Sequence, residues 1–518
     1  MTGDGGLPEP GADEILFLPL GGVGEIGMNV ALYGHAGAWL MVDLGIMFGD
    51  ETMPGVDVIL PDLAAIAAKR DRLAGLVLTP AHEDHLGAVA YLWPRLRCPI
   101  YATPFAAALL RRKLEEAGLA KTAPITVLPM GAEFQVGPFA LEYVTVTHSI
   151  PEPNALAIRT AAGLVVHSGD WKIDPAPVIG TILDEVTFRR MGAEGVLALI
   201  GDSTNAMVPG SSGSEASLLD EITRVIGEAR HRVFVGCFAS NVARVETIIA
   251  AARHAGRRIA LVGRSLLRIV ACAKEAGYLA DLPNFIDEEH VGFLDRDEVV
   301  IICTGSQGEP RAALARIAAG THPHVVADAG DRVIFSSRTI PGNERAIASL
   351  QGNFIRQGVE VITGTDRRVH VSGHPARDEL KQLYGWLKPR FAVPVHGEPR
   401  HLAAHAELAR GMGVEAAIVL QDGEALRLAA DGAGIVARVA AGRLAVDGKR
   451  LLPLDGEALK ARQRMVHDGV AIVSLVLGQD DELVTDPQVT LPGLAEGSEG
   501  AEIVAETVAA VRGVFVAM

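Results

Sequence analysis

The chain has 518 residues, 49% of them hydrophobic, with 47 Lys and Arg against 63 Asp and Glu and a net charge of -16. At roughly 100–200 residues per domain, that length implies two to four folded units and excludes a disordered or fibrous chain. The acidic balance excludes broad, sequence-blind adhesion to a phosphate backbone, which needs many Lys and Arg contacts, but not a narrow, locally positive channel.

Charges, Gly and Pro interrupt the apolar residues well short of the ~18–20 consecutive apolar residues that a membrane span needs, so no membrane partner is predicted. The opening MTGDGGLPEPGADE is acidic, without the basic region and apolar stretch of a secretory signal. Cys98, Cys237, Cys272 and Cys303 have no paired spacing and read as free thiols. These features predict a cytoplasmic protein.

In chain order, strands are predicted first at Ile15–Leu20, Val30–Tyr33, Ala38–Asp43, Leu76–Thr79, Pro99–Ala102, Phe139–Val146, Leu164–Ser168 and Val196–Gly201, with helical pattern at Phe105–Ala117. From about Ser212 the pattern changes to regular alternation: helix at Ser217–Arg230, strand at Arg232–Phe238, helix at Val242–His254 and strand at Arg258–Gly263. It continues with helix at Leu266–Ala276, strand at Glu298–Thr304, helix at Pro310–Ala319 and strand at Arg332–Ser336. Such alternation predicts a parallel sheet with helices on its faces, a separate α/β domain inserted after about residue 206. Further elements follow at Asn343–Gln357, Val359–Ile362, Ala376–Trp386 and Phe391–Val395. Ala429–Gly448 reads as a linker or short hairpin, and Leu451–Met518 as a small terminal unit without a chemical cluster.

Gly22-Val23-Gly24-Glu25-Ile26-Gly27, with Asp43 about 20 residues on, matches a dinucleotide fingerprint. A working fingerprint opens a helix onto the pyrophosphate. Here Asn29–Gly34 and Trp39–Asp43 read as strand, turn, strand, so a tight glycine turn is the favoured reading.

The sharpest signal is Thr79-Pro80-Ala81-His82-Glu83-Asp84-His85, directly after an apolar strand. Two imidazoles and two carboxylates crowded at a strand end suit a divalent cation such as zinc or manganese. The bland alternative is a polar turn capping the next helix. Thr147-His148-Ser149, Ser168-Gly169-Asp170 and Val395-His396-Gly397 sit at three further predicted strand ends and raise the metal reading.

These residues resemble the metallo-β-lactamase superfamily and, within it, the β-CASP ribonucleases of the ribonuclease J family. The resemblance runs from about Leu16 to about His401. It includes Gly21–Asn29, Met41–Phe48, Pro54–Asp62, Gly201–Asn205, Phe238–Asn241, Thr304–Pro310, Ser336–Glu344 and His370–His374 besides the histidine motifs. It implies an α/β protein: a metallo-β-lactamase αββα sandwich (1–206 and 369–428) with an inserted β-CASP α/β domain (207–368), a linker (429–450) and a small C-terminal α/β domain (451–518).

The resemblance also implies two zinc (Zn2+) ions, with Mn2+ or Mg2+ as alternatives. His82 and His148 would serve the first, Asp84, His85 and His396 the second, and Asp170 both. The family's H-x-H-x-D-H loop has Pro80 in place of its first histidine here, and proline offers no donor atom. The first site is therefore expected to be weakened. His167 is a nearby substitute, expected to point elsewhere.

In catalysis, Asp84 and Asp170 would orient the attacking water and His374 would protonate the leaving oxygen. Ser240, Asn241, His370, Val371, Ser372, Gly373 and His374 would receive RNA through hydroxyl, amide and backbone donors, which need no net positive charge.

The implied function is 5′-to-3′ exonucleolytic and endonucleolytic hydrolysis of single-stranded RNA in RNA processing and decay. Implied partners are the chain's own copies, as dimer or tetramer, and RNA-decay proteins. Two rivals remain: a catalytically impaired RNA-binding subunit, suggested by Pro80, and small-molecule ester or lactone hydrolysis, disfavoured by the inserted domain.

Overall fold

A computed structural model describes residues 6–517 except Glu51, Pro341 and Asp481; the first five residues of the acidic opening segment lie outside the described residues. The chain divides into two compact units, Met1–Ile46 with Leu63–Ala441, and Met47–Asp62 with Gly442–Met518.

The first unit contains a stacked pair of sheets. One has eight strands, in the order Gly432–Arg438, Glu424–Ala429, Ile15–Gly21, Val30–His35, Ala38–Val42, Leu73–Val77, Ile100–Ala102 and Ile125–Val127. The other has seven, in the order Ala416–Ala417, Phe391–Val395, Val196–Asp202, Gly163–His167, Asn154–Thr160, Phe139–Thr145 and Glu133–Val136. Phe17, Tyr33 and Val42 of the first pack into one core with Tyr143, Ile158, Ile200 and Val393 of the second. The second sheet's other face, with Val144, Val166 and Leu199, is covered by Phe188, Met191, Leu380, Tyr384 and Leu408 from helices Glu185–Glu194, Arg377–Leu387 and Pro399–Gly411. Central strands such as Ile15–Gly21 are buried along their whole length. That is why they read as continuous apolar runs instead of alternating ones. Each large apolar side chain so enclosed contributes about 1.5–3 kcal/mol.

The insertion is a separate five-stranded parallel sheet, ordered Arg258–Val262, Val299–Cys303, Val233–Gly236, Arg332–Phe335 and Glu360–Ile362. Phe234, Ile301 and Val333 of this sheet pack with Ile317, Leu350 and Phe354 from flanking helices.

The second unit contains a four-stranded sheet, ordered Arg450–Pro453, Arg443–Asp447, Val58–Pro61 and Met47–Phe48. Two expectations are corrected here. Residues 47–62, grouped by sequence with the first sandwich strands, belong with the C-terminal residues, because Val58–Pro61 satisfies its backbone by pairing with Arg443–Asp447. The expected 429–450 linker is mostly strand, because Gly432–Arg438 closes a hairpin onto Glu424–Ala429. Among the described residues, no helix is long and apolar enough to cross a membrane.

The glycine segment after Ile15–Gly21 opens no helix. Gly22, Gly24 and Gly27 adopt φ of 86°, 84° and 116°, in the left-handed region that favours glycine, and the chain returns as the antiparallel strand Val30–His35. The Gly22 carbonyl accepts from the His396 amide at 2.7 Å, so the turn anchors a predicted site residue instead of cradling a dinucleotide.

Candidate metal centre

Each predicted ligand leaves a strand end. After Leu73–Val77 the chain runs through Pro80 to His82, which precedes the short helix Glu83–Leu86 carrying Asp84 and His85. The loop is tied down by its backbone: the Asn29 amide donates to the Asp84 carbonyl at 2.8 Å and the Leu44 amide to the His85 carbonyl at 2.6 Å. Gly45 lies so close that a Cβ there would sit 1.7 Å from the Asp84 carbonyl oxygen. His148 follows Phe139–Thr145, Asp170 follows Gly163–His167, and His396 ends Phe391–Val395 with φ of 52°.

Asp84, His85, Asp170 and His396 each bring one donor atom within 4.8 Å of the others; His148, Asp170 and His374 form a second such group, and Asp202, His374 and His396 a third. His85 Nδ1 donates to Asp43 Oδ2 at 2.7 Å, and His85 Nε2 lies 3.2 Å from Asp170 Oδ2. His396 Nδ1 donates to Asp170 Oδ1 at 2.8 Å. His396 Nε2 lies 3.5 Å from Asp84 Oδ2 and is buried without a hydrogen-bond partner. Neutral imidazole nitrogens and carboxylates held this close, one nitrogen buried and unpartnered, fit a divalent metal ion.

The electrostatics agree. Burial opposes ionising Asp170, but the His85, His396 and His374 rings outweigh it and hold the carboxyl well below its ordinary value. Burial likewise opposes charging His396, yet Asp170, Asp84 and Asp202 push it up to about 10. The pocket is thus a concentration of negative charge that attracts a cation or, failing one, protons. His148 is driven well below the ordinary imidazole value by burial and by His82.

His82 departs from the expected pattern. Its Nδ1 lies 3.0 Å from Ser240 Oγ and its Nε2 3.3 Å from Ser149 Oγ. Its ring meets His148 edge-on, with centroids 4.9 Å apart. Among the described residues, no group of three donors includes it. His167 points away, as expected, with Nδ1 2.8 Å from the Tyr33 hydroxyl.

The residues expected to receive RNA divide into two sets. Ser240, Ser372, Gly373 and His374 border the pocket: Ser372 Oγ accepts from Asn205 Nδ2 at 2.8 Å, the Gly373 carbonyl from His148 Nδ1 at 2.6 Å, and Asp202 Oδ2 from His374 Nδ1 at 2.8 Å. Asn241, His370 and Val371 are engaged inside the protein instead. Asn241 Oδ1 caps helix Val242–His254 by accepting from the Arg244 amide at 2.8 Å. His370 Nδ1 lies 3.2 Å from Arg244 Nη1, and the Val371 carbonyl accepts from Arg244 Nη2 at 3.4 Å. Arg244 itself is fully buried and ion-paired with Glu215. A buried guanidinium needs many acceptors, and the His370 ring and the Val371 carbonyl supply two of them.

Sequence reasoning missed the acids behind the ligands. The sequence patterns place Asp43 in the glycine fingerprint and in Met41–Phe48, and Asp202 in Gly201–Asn205, without assigning either a role. Both are buried acids at strand ends, which was the available signal.

Stacked sheets with histidines and aspartates gathered at strand ends, interrupted by a parallel α/β insertion, define a metallo-β-lactamase-fold metallohydrolase. Family models agree with that class: the Metallo-beta-lactamase superfamily matches residues 23–170, the Ribonuclease J beta-CASP domain residues 230–353, and the Zn-dependent metallo-hydrolase RNA specificity domain residues 358–419. Ribonuclease J of Sinorhizobium meliloti is 46% identical over 499 residues, 96% of this chain and 88% of that protein. The proteins of that name from Synechocystis and Thermus thermophilus are each 38% identical, covering 92% and 90% of this chain and 75% and 83% of their own lengths. A crystal structure of a protein of unknown function from Enterococcus faecalis shares the fold with TM-score 0.55 at 16% identity, over 80% of this chain and 100% of that one. The chain belongs to the ribonuclease J family.

Proposed function

We propose that this metal-dependent ribonuclease hydrolyses single-stranded RNA both internally and from the 5′ end, with zinc held by Asp84, His85, His396 and Asp170. The carrying observation is the convergence of those four donors around the unpartnered His396 Nε2. A divalent ion held there would help deprotonate a water near neutral pH and offset negative charge developing at phosphorus. The chain's residues do the rest. Asp170 and Asp84, kept ionised by the surrounding rings, would orient the attacking water by accepting its hydrogen bonds. Asp43 fixes the His85 tautomer so that Nε2 faces inward. Ser240, Ser372 and Gly373 border the approach to the pocket, where an RNA phosphate would meet hydroxyl groups.

The RNA specificity match over residues 358–419 supports RNA as substrate. An impaired subunit finds no support among the relatives, and small-molecule hydrolysis would leave the β-CASP insertion without a purpose. Self-association as dimer or tetramer, RNA-decay partners and a cytoplasmic location remain part of the proposal; light scattering on the purified chain tests the first. The functional test uses uniformly labelled RNA carrying a 5′ monophosphate or hydroxyl, incubated with zinc- or manganese-loaded protein. Mononucleotides released from the 5′ end together with internal fragments are expected. Intact RNA under every metal condition would overturn the reading.

A further inference from the structure

The family resemblance implies a metal ligand at the position where Pro80 stands, and Pro80 is buried with no donor to offer. Around His148 and Asp170 the structure brings a different imidazole. His148, Asp170 and His374 present donors within 4.8 Å of one another. The His148 and His374 rings meet edge-on with centroids 4.9 Å apart. His148 Nε2 lies 3.6 Å from Asp170 Oδ2.

The tautomers follow from the partners. The Gly373 carbonyl and the Asp202 carboxylate can only accept, so the Nδ1 of His148 and of His374 must each carry a proton. Both Nε2 atoms are then left with a lone pair. A carboxylate behind a histidine is the arrangement that orients metal-binding imidazoles and raises their basicity. His82 is in the opposite condition. The Ser240 and Ser149 hydroxyls engage both of its ring nitrogens, Nδ1 at 3.0 Å and Nε2 at 3.3 Å.

We propose that His374 completes the first metal site with His148 and Asp170, while His82 is released from coordination to bridge Ser149 and Ser240 across the pocket mouth. The inference rests on the metal-dependent ribonuclease reading and replaces the proton-donor role that the family resemblance implies for His374: its Nε2 ligates instead. Two imidazoles and one carboxylate are a known divalent-metal set, with open positions for water and substrate. With only three protein donors, this site should hold its ion less tightly than the four-donor site.

The test is metal content of the full-length protein after graded chelator treatment, with cobalt(II) absorption as a second readout and circular dichroism melts as a fold control. Wild type should show two ions, released in sequence. His374→Ala should remove the weaker one and its cobalt bands, and Asp202→Asn should loosen it by roughly 10–100-fold. His82→Ala should retain it. Pro80→His should tighten it and make retention depend on His82 instead of His374. Loss of the weaker ion in His82→Ala with retention in His374→Ala, or no effect of Asp202→Asn, would overturn the assignment. Asp84→Ala separates the two readings. If it loses an ion while His374→Ala does not, the ribonuclease reading stands and this inference falls; if wild type binds no ion, both fall.

Discussion

Replacing Asp43 by Asn tests whether the layer behind the ligands tunes the metal. Asp43 Oδ1 accepts from the Thr79 amide at 2.8 Å, and Oδ2 accepts from the Thr79 hydroxyl and from His85 Nδ1, both at 2.7 Å. Asparagine keeps the shape but supplies only one oxygen. If that oxygen stays on the Thr79 amide, its NH2 faces His85 Nδ1, which must then lose its proton. The ring flips tautomer, and a protonated Nε2 now faces the pocket, unable to ligate. If the amide turns over, NH2 meets the Thr79 N–H, two donors in a buried site. Either way one charge-assisted hydrogen bond worth about 1.5–3 kcal/mol is lost. Second-layer losses of this kind weaken metal binding roughly 10–100-fold, or about 1.4–2.7 kcal/mol. Chelator competition on wild type and Asp43→Asn reads this directly, with thermal melts in excess metal to check folding. A variant that binds metal within about twofold of wild type would refute the tautomer argument.

Three further outcomes are expected. A Cβ at Gly373 would sit 2.6 Å from His148 Cε1, so Gly373→Ala should shift that ring and lower RNA cleavage on the order of 10²-fold with little change in melting temperature, measured by steady-state kinetics. Stripping the metal should abolish cleavage and lower the melting temperature, since ligand at 100 times its Kd stabilises by about 2.7 kcal/mol, and re-addition of zinc should restore both. His405 is buried between Ser203 Oγ and the Tyr384 hydroxyl, each at 2.9 Å, and burial lowers it to about 4. A depressed histidine favours the fold fully above its unfolded value near 6.5 and loses that contribution as pH falls toward 4. Between pH 7 and pH 5 the loss is about 2 kcal/mol, so urea midpoints of His405→Gln should be less acid-sensitive than wild type by that amount.

Much of the site was legible in the sequence because metal chemistry is written in residue type. His82, Asp84 and His85 share one loop, and His148, Asp170 and His396 each follow an apolar strand, so the candidate ligands could be named without coordinates. The strand–helix alternation after Ser212 likewise marked the inserted parallel sheet, because both patterns are local.

What the sequence could not decide was partnership. Which acid stands behind which histidine depends on residues 42 and 172 positions apart, Asp43 with His85 and Asp202 with His374. Whether His370 faces RNA or a buried guanidinium depends on where the Arg244 side chain lies, and residues 47–62 join the C-terminal sheet only because a distant strand offers them an edge. Composition and spacing fix which groups exist and the strand ends they occupy, since those follow from local periodicity. Hydrogen-bond partners and side-chain facing are settled by packing between segments far apart in the chain, and so only the tertiary structure could assign His82 to its serines and set His374 beside His148 and Asp170.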